Sequence, residues 1–184
     1  MNKKNWIICV FLGILSLTGC NKKKTLKDVT STEMRSAYQL TEDHKSGVIK
    51  MDSSSRKGTL KLDGIDYQYV IKRCPDESIP KAVDDEGNMY VDNRIELDIT
   101  SGGRQFFSRV FLKKNFSNMI DFSFVKKGIL EGLVFDKVKD GKINFSVSIS
   151  YPQTDMYESL MIEITPTGGM SVKKDESMDG SDVE

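Results

Sequence analysis

The sequence predicts an all-β protein, an antiparallel sandwich or partly open barrel of about 7–9 strands with one short helix, preceded by a flexible tether. Three observations predict it. From about residue 46 onward, apolar residues recur with a period of two. Asp-Gly or Gly-Gly pairs separate the alternating runs. Only one internal stretch has helical spacing. Strands joined by tight turns, without intervening helices, build antiparallel sheets. Periodicity alone does not choose between sandwich and barrel.

The elements follow in order. "SGVIKM" opens the sheet. "GTLKL", Asp63-Gly64 and "IDYQYVIK" form a hairpin, because Asp-Gly supplies the two positive φ angles of a tight turn. "RIELDIT" is the cleanest strand: Ile95, Leu97 and Ile99 point one way, and Arg94, Glu96, Asp98 and Thr100 the other. "SGGR" turns it into "QFFSRVFLK". "NFSNMIDF" places Phe116, Met119 and Ile120 at helical spacing, with Asn115 or Ser117 as cap, and predicts one or two turns. "LVFDKVK", Asp140-Gly141 and "KINFSVSISY" form another hairpin; "ESLMIEIT" and "GMSV" close the sheet. Between them, residues 74–93 ("CPDESIPKAVDDEGNMYVDN") form a connection of about 20 residues, longer than most loops in compact domains.

The N-terminal residues behave differently. Lys3 and Lys4 precede an apolar run from Trp6 to Leu17, too short for the ~20 residues that span a bilayer. A basic start, a short apolar middle and small residues before a break describe a secretory signal. "Leu17-Thr18-Gly19-Cys20" resembles a bacterial lipobox. That resemblance implies a diacylglyceryl thioether on Cys20, cleavage before it and acylation of the new amine. A chance cysteine in an apolar segment is the alternative, and the anatomy around it speaks against chance. Two or more acyl chains anchor a protein stably. The chain thus divides into a signal peptide (1–19), a lipidated cysteine and tether (20–45), one β domain (46–173) and an acidic disordered tail (174–184). As a coil of ~25 residues the tether reaches about 25–30 Å. Within it, Thr30 and Glu33 match a capping box, and Met34, Ala37, Tyr38 and Thr41 line one face of a short helix. Lys22 to Lys24 suit an anionic membrane surface beside the anchor.

The 27 basic and 27 acidic residues balance, and neither a basic-aromatic stripe nor a glycine-rich phosphate loop is present, so no nucleic-acid partner is expected. Of the cysteines Cys9, Cys20 and Cys74, the first leaves with the signal and the second carries lipid, so Cys74 is a lone thiol. His44, the one histidine, lies in the tether, where a catalytic or metal-binding scaffold is missing. No catalytic residue and no cofactor are therefore expected. Asp84, Glu86, Asn88 and Asp92 are weak calcium candidates, since calcium takes carboxylate and carbonyl oxygens; the stretch fails the EF-hand pattern at Met89, where glycine is required. Glu96, Asp98 and Glu163 raise paired-carboxylate hydrolysis, although their alternation with apolar residues describes the wet face of a sheet. Asn144, Ser146, Ser148 and Ser150 share one face, suited to solvent or to close approach by another surface. Tyr67, Tyr69, Phe107, Phe111, Phe135, Phe145 and Tyr151 alternate within strands; most read as core, with one or two tyrosines left to flank a cleft.

"DNRIELDIT", "QFFSRVFLKKNFSN" and "ILEGLVFDKVKDGKINFSVSISYPQTDMYES" together resemble a family of small Bacteroidetes lipoproteins described as a domain of unknown function. The resemblance covers roughly residues 60 to 170 and implies a Gram-negative envelope setting, but brings no activity, cofactor or site residue. In that phylum acidic residues soon after the lipidated cysteine accompany export to the cell surface. Asn21 and three lysines stand there instead, which favours an outer-membrane anchor facing the periplasm. The expected function is a non-enzymatic binding or accessory module, membrane-bound through Cys20, with a protein, peptide or glycan partner. A structural component docking through a sheet edge or the 74–93 loop is the alternative. A hydrolase comes third.

Overall fold

The structure, a computed structural model, describes residues 47–175 and the backbone course of residues 40–43. In chain order the strands are β1 (Leu40–Asp43), β2 (Val48–Met51), β3 (Ser54–Leu62), β4 (Ile65–Pro75), β5 (Ala82–Val83), β6 (Met89–Tyr90), β7 (Asn93–Ser101) and β8 (Arg104–Phe111). A 3-10 turn (Lys113–Phe116) and helix α1 (Phe122–Lys127) follow. The chain continues through β9 (Ile129–Lys139), β10 (Lys142–Ser150), β11 (Tyr157–Ile164) and β12 (Met170–Lys174).

Eight of these strands make two four-stranded antiparallel sheets, in the orders β3-β4-β7-β8 and β12-β11-β10-β9. A third, small sheet has the order β1-β2-β6-β5, with β2 and β6 parallel. The hairpins turn where the glycines predict. Asp63 and Gly64 take φ of 49° and 78°, and Asp140 and Gly141 take 53° and 68°, the left-handed pair that two-residue turns require.

The alternation sends one face of each main sheet into a shared core. Ile95, Leu97 and Ile99 of β7 meet Ile143, Phe145, Val147 and Ile149 of β10 and Leu160, Ile162 and Ile164 of β11 there. Tyr69 reaches across to Phe135 and Phe145, with ring centroids 5.5 and 5.7 Å apart. Among the described residues both main sheets keep two unpaired edges, so they form an open sandwich and no closed barrel. Arg56, Lys57 and Lys61 line edge strand β3, a charge pattern that discourages strand addition.

Three expectations change. "SGVIKM" does not open a main sheet: Val48–Met51 belongs to the small one, because four residues that bury only Met51 pair with β1 and β6 instead. Leu40–Asp43, read as tether, forms β1; its sequence, "LTED", has no apolar alternation, and main-chain pairing with β2 carries it. The helix falls later than "NFSNMIDF". Asn115 closes the 3-10 turn by accepting the Leu112 amide at 2.8 Å, and α1 begins only after Asp121. Phe116 and Ile120 are nevertheless buried, as their spacing requires. The capping-box segment around Thr30 and Glu33 lies outside the described residues.

Candidate functional site: the 74–93 connection

The long connection is built from side-chain-braced turns. Asp76 accepts hydrogen bonds from the Ser78 amide at 3.0 Å and hydroxyl at 2.5 Å. Those bonds, the hydroxyl foremost, hold its carboxyl below the usual range. Ala82–Val83 then pairs with Met89–Tyr90 as a miniature hairpin. Asp84 braces its turn: one carboxylate oxygen accepts the Asn88 amide at 2.8 Å, and the other accepts Asn88 Nδ2 at 2.9 Å and the Tyr90 hydroxyl at 3.0 Å. The Asn88 side chain is the main reason that the Asp84 carboxyl sits low. Burial, then the bond to Asp84, pushes the Tyr90 phenol up to about 12.

This hairpin has two unlike faces. Ala82 and Tyr90 are buried with Met51 and Ile129 in a second, smaller apolar core. Val83 and Met89, directly paired, are 45% and 41% exposed. Helix α1 lies beside β5, and Lys127 donates to both Asp85 carboxylate oxygens at 2.6 and 2.8 Å. At the other end of α1, Phe122 is 71% exposed, with the Lys126 ammonium 4.8 Å from its ring centre. Together Val83, Met89 and Phe122 give these neighbouring elements an outward apolar character.

A buried polar latch fixes the connection to the sandwich. Asp92 accepts the Asn93 amide at 2.8 Å and the Leu130 amide at 2.7 Å, both on Oδ1. Its Oδ2 faces Lys113 Nζ at 3.2 Å, and that ammonium also donates to the Gly128 carbonyl. Asn93 donates to the Leu130 carbonyl at 3.0 Å. Arg73 spans the Glu131 carbonyl at 2.9 Å and the Asp52 carbonyl at 3.1 Å. All four side chains are buried, where ionic groups persist only when paired and hydrogen-bonded. The latch joins β4, β7 and the start of β9, and it orients the loop.

The four calcium candidates do not converge. Asp84 is occupied by Asn88 and Tyr90, and Asp92 is turned inward onto Lys113. Glu86 and Asn88 are exposed. Among the described residues no group of three or more His, Cys, Asp or Glu side chains is arranged to hold a metal. Cys20 and His44 lie outside the described residues. Cys74 is a half-buried free thiol.

The three carboxylates considered for hydrolysis are kept apart. Glu96 sits 3.4 Å from Arg94 Nε, and Asp98 accepts the Ser108 hydroxyl at 2.6 Å. Both lie on the outer face of β7. Glu163 lies on the outer face of the other sheet, between Lys173 at 2.6 Å and Lys142 at 2.9 Å. Those lysines hold its carboxyl down at about 2.

Residue type in the sequence did not single out Arg73, Asn93 and Lys113 as buried, since each sits among ordinary surface residues. Nor did the sequence single out Val83 and Phe122, and Met89 entered only as the EF-hand mismatch. The pairing of Val83 with Met89 in so short a hairpin turns those two outward, and Phe122 is exposed at the start of α1.

Over residues 34–172 the chain matches a family described as a domain of unknown function (DUF4738), and it belongs to that family. No curated protein matches it.

Proposed function

We propose that this member of the family is a lipid-anchored lipoprotein of a Bacteroidetes cell envelope. In this reading Cys20 carries the lipid, and the β sandwich is a non-enzymatic accessory module that docks a protein partner near the outer membrane. The signal anatomy and the "LTGC" motif support the anchor, and the three lysines after Cys20 favour the periplasmic face. The observation that carries the docking claim is the Val83–Met89 pair, held outward on a hairpin whose inner face and latch are buried. A rigid platform that presents apolar side chains limits the ordering cost of association. The separation of Glu96 and Asp98 from Glu163, on opposite outer faces, weighs against a two-carboxylate reaction centre among those residues.

Co-purification from detergent-solubilised envelopes tests the docking claim. The wild-type protein should retain a stoichiometric protein partner, and the V83D/M89D variant, altered only at exposed positions, should lose it while keeping its melting temperature. Retention of the same partner by that variant, or a wild-type monomer holding only a small ligand, would overturn the reading.

A further inference from the structure

The outer face of the β9–β12 sheet is buried along β10, although only its Ile129 end, beside Ser150, belongs to a described apolar core. On β10, Ile143, Phe145, Val147 and Ile149 face the sandwich core, so Asn144, Ser146, Ser148 and Ser150 face outward. A solvated strand would leave them wet. Instead Asn144, Ser148 and Ser150 are only 5%, 3% and 3% exposed. Asn144 Oδ1 and the Ser148 and Ser150 hydroxyls have no hydrogen-bond partner among the described residues. Buried polar atoms are normally satisfied, and each that is not costs about 1–3 kcal/mol. Met161, on the same outer face of β11, is 6% exposed yet belongs to neither apolar core.

The shape of the face is equally specific. By strand register, Gly132, Ser148 and Ser159 form one row across β9, β10 and β11. The smallest side chains of the face thus line up across three strands and leave a shallow trough beside Met161. Small residues in such a row let another backbone approach closely.

The chain itself supplies an occupant. Described structure begins at Leu40, whose register partner is Met51. Met51 packs with Ile129, and Ile129 is the register partner of Ser150 at the end of the polar row. Leu40, the first described residue, is thus linked through Met51 and Ile129 to the Ser150 end of the trough. The family match begins at residue 34, before the first strand, so residues 34–39 belong to the family's domain. Residues 30–39, "TSTEMRSAYQ", offer Met34, Ala37 and Tyr38 on one helical face, with hydroxyl, amide and guanidinium groups to meet the orphaned atoms.

We propose that residues 30–39 dock across the outer face of β9–β12, covering Met161 and satisfying the Asn144, Ser148 and Ser150 side chains. The free tether then shrinks to residues 21–29. Its reach falls to roughly 15–18 Å, taking 5–6 Å times the square root of its length, so the domain is held close to its point of attachment.

Hydrogen–deuterium exchange on the full mature chain tests this. Peptides covering 31–39 should exchange at least about ten-fold more slowly than peptides covering 21–29, because docked amides exchange only on opening. The Ser148→Arg variant, which fills the trough, should abolish that protection while β7 and β11 remain protected. Exchange of 31–39 at the rate of 21–29 in the wild type would overturn the proposal. So would protection that appears only as the protein dimerises with rising concentration, which would make a second copy the occupant. Protection of 31–39 that survives Ser148→Arg would equally contradict it.

Discussion

Removing Lys113 should destabilise the sandwich far more than a typical lysine substitution. Its ammonium lies 3.2 Å from Asp92 Oδ2, and the two side chains are 11% and 3% exposed. Lys113→Met keeps the apolar stem and deletes only the charged end, leaving the Asp92 carboxylate buried without a cation. Breaking a buried pair in this way costs about 3–5 kcal/mol. The two amide donors that remain on Oδ1, from Asn93 and Leu130, place the expected loss near the lower end, about 3 kcal/mol. For a domain of ~130 residues that is a melting temperature lower by about 10 °C. The double variant Asp92→Asn/Lys113→Met discriminates further. An amide oxygen can still accept both N–H groups, and no charge is left unpaired, so the double variant should recover about 1–3 kcal/mol relative to the sum of the single losses. Urea unfolding of all four proteins measures the cycle. A loss below about 1 kcal/mol for Lys113→Met, or simple additivity in the cycle, would refute the latch as the element holding the 74–93 connection.

Other outcomes follow from the same geometry. Glu163 is held at about 2 against an ordinary 4.5, so its contribution is present above 4.5 and is lost as pH falls through about 2. Screening at the exposed lysine ends limits it to about 1 kcal/mol; the stability gap between wild type and Glu163→Gln should close between pH 5 and pH 2 and should shrink in high salt. A Cβ at Gly58 would stand 2.3 Å from the Tyr69 hydroxyl oxygen and 2.4 Å from its ring. Because Tyr69 packs against Phe135 and Phe145, Gly58→Ala should cost about 1–3 kcal/mol through a displaced aromatic cluster, whereas the same change at an open turn glycine should not show in the near-ultraviolet spectrum. Millimolar calcium should leave the melting temperature unchanged, since Asp84 and Asp92 are engaged elsewhere; a rise would mean that the loop rearranges around the ion.

The antiparallel strands and their hairpins were legible because their signals are local, whereas the choice of sandwich over barrel needed the sheet topology. Asp63-Gly64 and Asp140-Gly141 dictate their turns through backbone sterics, and Ile95, Leu97 and Ile99 mark a buried face by alternation alone. What was illegible depends on distant partners. Nothing within a few residues of Lys113 announces that its ammonium will meet Asp92, 21 positions earlier. The Ser148 face read as solvated or closely approached, and its burial selects the second, because polarity of a side chain does not reveal what lies over it. Val48–Met51 has strand character, but four residues cannot specify which sheet they join. The candidate loop was visible by its length, whereas its outward pair Val83 and Met89 needed the register of a two-residue hairpin.

Anchoring through Cys20 is the claim on which the functional reading turns, and mass spectrometry of the N-terminal peptide of membrane-purified protein tests it most directly. The predicted result is a chain that begins at Cys20, with a diacylglyceryl thioether on its sulfur and an acyl group on its amine. A chain that retains residues 1–19, or that begins elsewhere with Cys20 as a free thiol, would contradict it.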